Sequence, residues 1–230
     1  MMHRIYFVSG IDTSVGKTIA TGMMARYLHQ KGVRVATVKM VQTGCHDFSE
    51  DLDMHRQLMG VPALPEDAQK LTFPQTFDFP SSPLLAATLE HRVVDTQKIT
   101  DAVNAVAANY EITFAEGAGG LMVPLTEHLL TVDLAAQNHW PCILVCNGKL
   151  GSLNHALLSL EALENRHIPL AGVVYNYYHD ADPLIDNDTP AMIQKHLNAH
   201  FPGSRVVRLA KVDPTTPEKT PLPDFEAIFQ

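Results

Sequence analysis

The chain has 230 residues, 46% hydrophobic and 18% charged, which supplies apolar material for one large core and suits a single domain over residues 1–230. A formal charge of −8 excludes a broad basic footprint for nucleic acid or an anionic membrane, so any affinity for phosphate must be local. No apolar stretch approaches membrane-spanning length, and Met1-Met2-His3-Arg4 leads into a strand without a signal-peptide pattern, so a cytoplasmic enzyme is expected.

In chain order, residues 4–9 form an apolar, strand-like run that ends in Gly10-Ile11-Asp12-Thr13-Ser14-Val15-Gly16-Lys17-Thr18 and opens a helical stretch at 17–30. A strand, a glycine loop and a helix in that order suit a nucleotide: successive loop N–H groups can face phosphate oxygens, and the helix adds its positive end. In that setting Lys17 reaches the outer phosphates and Thr18 a magnesium ion. Five residues separate Gly10 from Gly16, one more than in the usual Walker A spacing. Further strand-like runs follow at 34–39, 112–115, 142–146, 171–175 and 205–209. Helical patterns at 52–58, 83–90, 96–109, 132–137, 153–165 and 189–200 mostly separate them, with Thr189-Pro190 reading as a helix start. Such alternation predicts an α/β fold, a P-loop NTPase-type parallel sheet with helices on both faces. Residues 62–83 carry five prolines and read as an ordered loop, as does the proline-rich tail at 214–223.

Metal-binding cysteine or histidine motifs are not evident. Cys45, Cys142 and Cys146 lack zinc spacing, and His196 and His200 share a helix face without the acidic residue of a metalloprotease motif. The chemistry gathers instead at the strand ends, where open parallel sheets bind ligands. The first strand ends in the glycine loop and the second at Lys39-Met40-Val41-Gln42-Thr43-Gly44. Glu116-Gly117-Ala118-Gly119-Gly120 follows the third, read as a carboxylate and a glycine-rich turn; the fourth leads to a helix start at Gly151-Ser152-Leu153-Asn154, and the fifth ends at Asn176. Each residue alone also suits a turn, a cap or an exposed strand end. Polar signals at five successive strand ends point to one site.

These residues resemble the dethiobiotin synthetase family. The resemblance rests on Gly10-x-Asp-Thr-x-Val-Gly-Lys-Thr18, Lys39-x-Val-x-Thr-Gly44, Ser82-Pro83, Glu116-Gly-Ala-Gly-Gly120, Leu150-Gly-Ser-Leu-Asn-His155 and Leu170-Ala-Gly-Val-Val-Tyr-Asn176, in that order over most of the chain. It implies closure of a urea ring on 7,8-diaminononanoate with CO2 (or bicarbonate) and MgATP, through a carbamate and its mixed anhydride with phosphate. Lys17 and Lys39 would be catalytic, flanking the γ-phosphate and carbamate, and Thr18, Asp53 and Glu116 would hold Mg²⁺. Asp51 is the alternative metal carboxylate, with Asp53 preferred for its spacing to Leu58. Thr13 and Thr43 match substrate positions. Gly151, Ser152, Leu153 and Asn154 match an element that holds the substrate carboxylate across a homodimer. ATP contacts are implied at Ser14, Val15, Gly16, Lys17, Thr18, Ile19, Asp53, Glu116, Gly117, Ala118 and Gly119, and at Asn176 for adenine.

The chain departs from the family pattern at Ser14, Met40 and Leu84, where glutamate, proline and histidine are found in relatives, and in the loose match of residues 209–214 to the adenine segment. A second reading is a nucleotide switch of the partitioning or septum-placement type. Such switches carry another lysine in the loop, and Asp12, Thr13 and Ser14 offer none.

Overall fold

The structure, a computed structural model, describes residues 4–177 and 182–229, so Met1, Met2 and His3 of the expected leader-free start lie outside the described residues. In order the elements are β1 (Arg4–Gly10), α1 (Lys17–Gln30), β2 (Val35–Lys39), β3 (Gln42–Thr43), α2 (Glu50–Met59), α3 (Pro65–Ala68), β4 (Thr76–Phe77), α4 (Pro83–Leu89), α5 (Thr96–Ala107), β5 (Ile112–Gly120), α6 (Thr131–Gln137), β6 (Cys142–Asn147), α7 (Ser152–Glu164), β7 (Leu170–Asn176), α8 (Pro183–His200), β8 (Val206–Leu209) and α9 (Glu226–Phe229). Six strands form one sheet in the order β2-β5-β1-β6-β7-β8, and every pairing in it is parallel. β3 and β4 pair separately.

Side chains alternate between the two faces of a strand, yet all five residues of β2 and all six of β6 are buried. Both faces of the sheet are therefore covered, which is why these strands read as continuous apolar runs. The core centres on Phe7, Val8, Phe114, Ile143, Leu144 and Val173, joined by Phe225 and Phe229 from the C-terminal segment. The thiols of Cys142 and Cys146 lie inside β6, where burial pushes their pKa values up. No helix among the described residues is long and apolar enough to cross a membrane.

Two expectations are corrected. The helix read from Thr189 begins six residues earlier: Asp182 caps it, accepting from the Leu184 N–H at 2.8 Å, and Pro183 occupies the first turn. Pro190 thus lies inside α8, where it cannot donate to the Asp186 carbonyl; the Tyr177 hydroxyl donates there at 3.2 Å. The glycine-rich segment after Glu116 is a continuation of β5 to Gly120 rather than a turn, with a register shift against β1 between Val8 and Gly10. The proline-rich stretch at 62–83 also holds α3 and β4, and the tail holds a short 3-10 turn at Pro217–Lys219.

Candidate active site

The loop after β1 is braced from two sides. Gly16 takes φ +89° to cap α1, and a side chain there would collide with the Asn176 amide from β7. That amide donates to the Val15 carbonyl at 3.1 Å, tying the loop to the end of β7. Lys17 folds back over the loop and donates to the Asp12 carbonyl at 3.1 Å. Burial, and then the nearby charge of Lys39, lower its pKa to about 8.

Strand register brings the next pair together. Lys39 of β2 lies directly opposite Glu116 of β5, so both side chains leave the same face of the sheet. Lys39 Nζ reaches Glu116 Oε1 at 2.8 Å, the Gly117 carbonyl at 3.2 Å and Asp51 Oδ2 at 2.6 Å. Burial alone would lower this ammonium's pKa, but the carboxylates of Glu116 and Asp51 outweigh it and raise it to about 12. Glu116 is fully buried. Burial pushes its carboxyl up, and the Lys39 ammonium and the His55 ring overcome that and hold it well below the usual carboxylate range.

Helix packing completes the cluster. At Gly22 of α1 a Cβ would sit 2.5 Å from Leu58 of α2, so the missing side chain allows the two helices to approach closely. The apposed faces place Thr18 Oγ1 at 2.7 Å from Asp51 Oδ1 and 3.3 Å from Glu116 Oε1. Thr21 donates to Glu116 Oε2 at 2.7 Å, and His55 Nε2 lies 3.0 Å from the same oxygen. Two carboxylates, a hydroxyl and two lysines thus adjoin one loop.

In front of this cluster opens a cleft of about 410 Å³ lined by Thr13, Ser14, Gly16, Lys17, Thr18 and Ile19 from one side, and by Lys39, Thr43, Asp51, Ala118 and Gly119 from the other. Asp53 is not in it. It is exposed and borders a separate depression with Phe48, Arg56 and Phe73, because two helical positions carry it about 200° around α2 from Asp51. Gly151 and Ser152 line a smaller cleft of about 230 Å³ on the other side of the loop, with Asn147 and residues 11–15. There Ser152 Oγ donates to Asn147 Oδ1 at 2.6 Å, Leu153 is half-buried and Asn154 is exposed. His196 and His200 stack with ring centroids 4.2 Å apart, and His200 contacts Glu164.

Residues 4–217 match the family model described as an AAA domain. The ATP-dependent dethiobiotin synthetase BioD 2 of Pasteurella multocida is 43% identical over 203 residues, covering 88% of this chain and 95% of that protein. The enzyme of the same name from Haemophilus influenzae is 47% identical, with 80% and 96% covered. The chain belongs to the ATP-dependent dethiobiotin synthetase family. The fold of this dethiobiotin synthetase family member is shared more widely: a ParA family ATPase from Chlorobium tepidum superposes with a TM-score of 0.53 over 99% of this chain and 89% of that one, at 14% identity.

Sequence patterns for the dethiobiotin synthetase family led to Asp53, whereas the structure puts Asp51, not Asp53, beside Thr18 and Lys39. They also passed over His55 and Thr21. A signal existed for His55: it lies four residues beyond Asp51 and so shares its helix face. Thr21 repeats the same spacing from Lys17, so its Oγ1 also lies 2.9 Å from the Lys17 carbonyl, which competes with Glu116 for its one proton.

Proposed function

We propose that the protein closes the ureido ring of dethiobiotin from 7,8-diaminononanoate, CO2 and ATP in biotin synthesis. The observation that carries this reading is Lys39, held by two carboxylates at the rim of a Gly-Lys-Thr loop, in a chain of that family. One substrate amine adds to CO2 to give a carbamate and releases a proton. A carbamate oxygen attacks the γ-phosphorus of ATP, expelling ADP. The second amine then attacks the carbonyl carbon of the anhydride, and phosphate leaves.

Phosphoryl transfer calls for positioning and charge neutralisation rather than a covalent nucleophile. Lys17 would meet the phosphates. Lys39, whose charge is secured by its carboxylate neighbours, would neutralise the transferring group and the carbamate. Thr13 and Thr43 line the same cleft and are suited to hydrogen bonds with the substrates, while Asn176 supports the loop and has a buried Oδ1 without a partner. The described residues contain no group of three His, Cys, Asp or Glu side chains suited to a metal. The Thr18 hydroxyl with Asp51 and Glu116 fits Mg²⁺ nonetheless, since that ion commonly takes one or two carboxylates and completes its shell with phosphate and water. Bound there, the ion would neutralise phosphate charge.

A homodimer follows from the same reading, with the start of α7 holding the carboxylate of a diamine bound to the other subunit. Leu150 and Leu184, 86% and 80% exposed, flank a groove beside that helix start and offer apolar surface for a second copy. The direct test is incubation with diaminononanoate, bicarbonate and MgATP, with mass spectrometry for dethiobiotin. Formation of ADP without dethiobiotin would reject this reading.

A further inference from the structure

Glu116 divides its two oxygens. Oε1 faces Lys39 and Thr18 at the cleft, while Oε2 is held from behind by Thr21 at 2.7 Å and by His55 Nε2 at 3.0 Å. His55 is itself fully buried, and its Nδ1 lies 3.0 Å from Thr37 Oγ1. That hydroxyl accepts from Arg56 Nη1 at 2.7 Å. Arg56 can only donate, and His55 is the remaining partner of the hydroxyl, so the Thr37 proton points to His55 Nδ1. The imidazole proton then resides on Nε2 and is donated to Glu116. Arg56 is anchored in turn by Asp67, which accepts from its Nε at 2.9 Å and its Nη2 at 2.7 Å. Every hydrogen bond from Arg56 through Thr37 and His55 to Glu116 runs in one direction, an arrangement in which each bond strengthens the next.

The geometry points to His55 as a positioning residue: it fixes Glu116 Oε2 so that Oε1 is presented to the metal and to Lys39, with Arg56 and Thr37 selecting the tautomer that donates. This inference rests on Glu116 being a metal ligand in the proposed reaction. At Oε2, Thr21 brings one hydroxyl proton, which the Lys17 carbonyl at 2.9 Å can also take; the second donor, His55, holds that oxygen when it does. Groups behind a metal ligand typically alter metal affinity by ten- to a hundredfold.

The test measures Mn²⁺ binding to the protein–ADP complex by electron paramagnetic resonance, together with kcat, KM for ATP and the melting temperature. His55→Leu keeps the volume and removes the donor. It should weaken Mn²⁺ binding by roughly tenfold or more and lower kcat, while metal-free ADP affinity stays unchanged. His55→Gln, whose amide can donate to Glu116, should bind Mn²⁺ within about threefold of the unaltered protein. Thr37→Val should lie between them and carries the test should His55→Leu fail to fold. A folded His55→Leu with unaltered Mn²⁺ affinity, a folded His55→Gln no better than His55→Leu, or Thr37→Val at the unaltered value would overturn the assignment. Glu116→Gln in the same assay separates the two ideas. If it leaves Mn²⁺ binding intact, the metal reading itself fails; if it weakens binding while His55→Leu does not, only the role of His55 falls.

Discussion

Lys17 and Lys39 adjoin the same loop in opposite electrostatic settings. Lys17 has lost hydration and faces another cation, so its charge is more weakly held than that of Lys39, which lies between Asp51 and Glu116. Lys39→Gln should therefore lower kcat by about a hundredfold or more while ATP binding is largely kept, because the lost charge acts on the transferring group. Stopped assays at saturating MgATP with a parallel nucleotide titration check this, and undiminished dethiobiotin formation would remove Lys39 from the chemistry. The carboxylates allow a sharper contrast. On the proposed metal reading, Asp51→Ala would remove a hard anionic ligand and should raise the Mg²⁺ concentration needed for half-maximal rate, whereas Asp53→Ala should leave it unchanged. The opposite pattern would restore Asp53, the residue that motif spacing favours and that the exposed face of α2 keeps away from Thr18.

At the scale of elements, what could be read from sequence was whatever a local pattern encodes. The inner sheet strands were legible because burial on both faces leaves near-continuous apolar runs, as in Cys142–Asn147, and the edge strand β8 because Val207 and Leu209 are buried on either side of exposed Arg208. Lys17, Thr18, Lys39 and Thr43 could be placed at one rim because strand ends in a parallel sheet converge there. Sequence does not separate the two possible starts of α8, because Asp182-Pro183 and Thr189-Pro190 carry the same cue; the Tyr177 hydroxyl, brought in from the end of β7, satisfies the carbonyl that Pro190 leaves open. The choice of Asp51 and the role of His55 depend on how closely α2 approaches α1, a contact set by Gly22 and Leu58 far apart in sequence. Gly22→Ala tests that contact. Alanine favours a helix by about 1 kcal/mol, yet overpacking typically costs about 1–3 kcal/mol, and the Leu58 Cβ itself would be 2.8 Å from the new methyl. Net destabilisation is expected, read as a lower melting temperature together with a higher Mg²⁺ requirement as Asp51 is pushed from Thr18. A variant more stable than the parent would show that the helices have room to spare.

For the whole molecule, one chain builds a cleft lined by Lys17, Lys39, Thr18 and Asp51 but leaves Asn154 exposed, on a helix whose start borders the far side of the loop. A second copy docked on the Leu150 and Leu184 surface would give that helix start a ligand to hold. An exposed helix N-terminus offers unpaired N–H groups and a favourable dipole to a carboxylate, and Asn154 adds a side-chain donor. Asn154→Ala removes one hydrogen bond to a charged group, worth about 1.5–3 kcal/mol, while the backbone donors remain. KM for the diamine should rise by roughly tenfold or more on that basis, and KM for ATP should hardly move. If the proposed dimer forms there, Leu150→Glu with Leu184→Glu should give monomers in light scattering and abolish dethiobiotin formation at ordinary diamine concentrations, with ADP binding retained by each separate chain. A protein that is monomeric at assay concentration and fully active would show that each chain holds its diamine unaided.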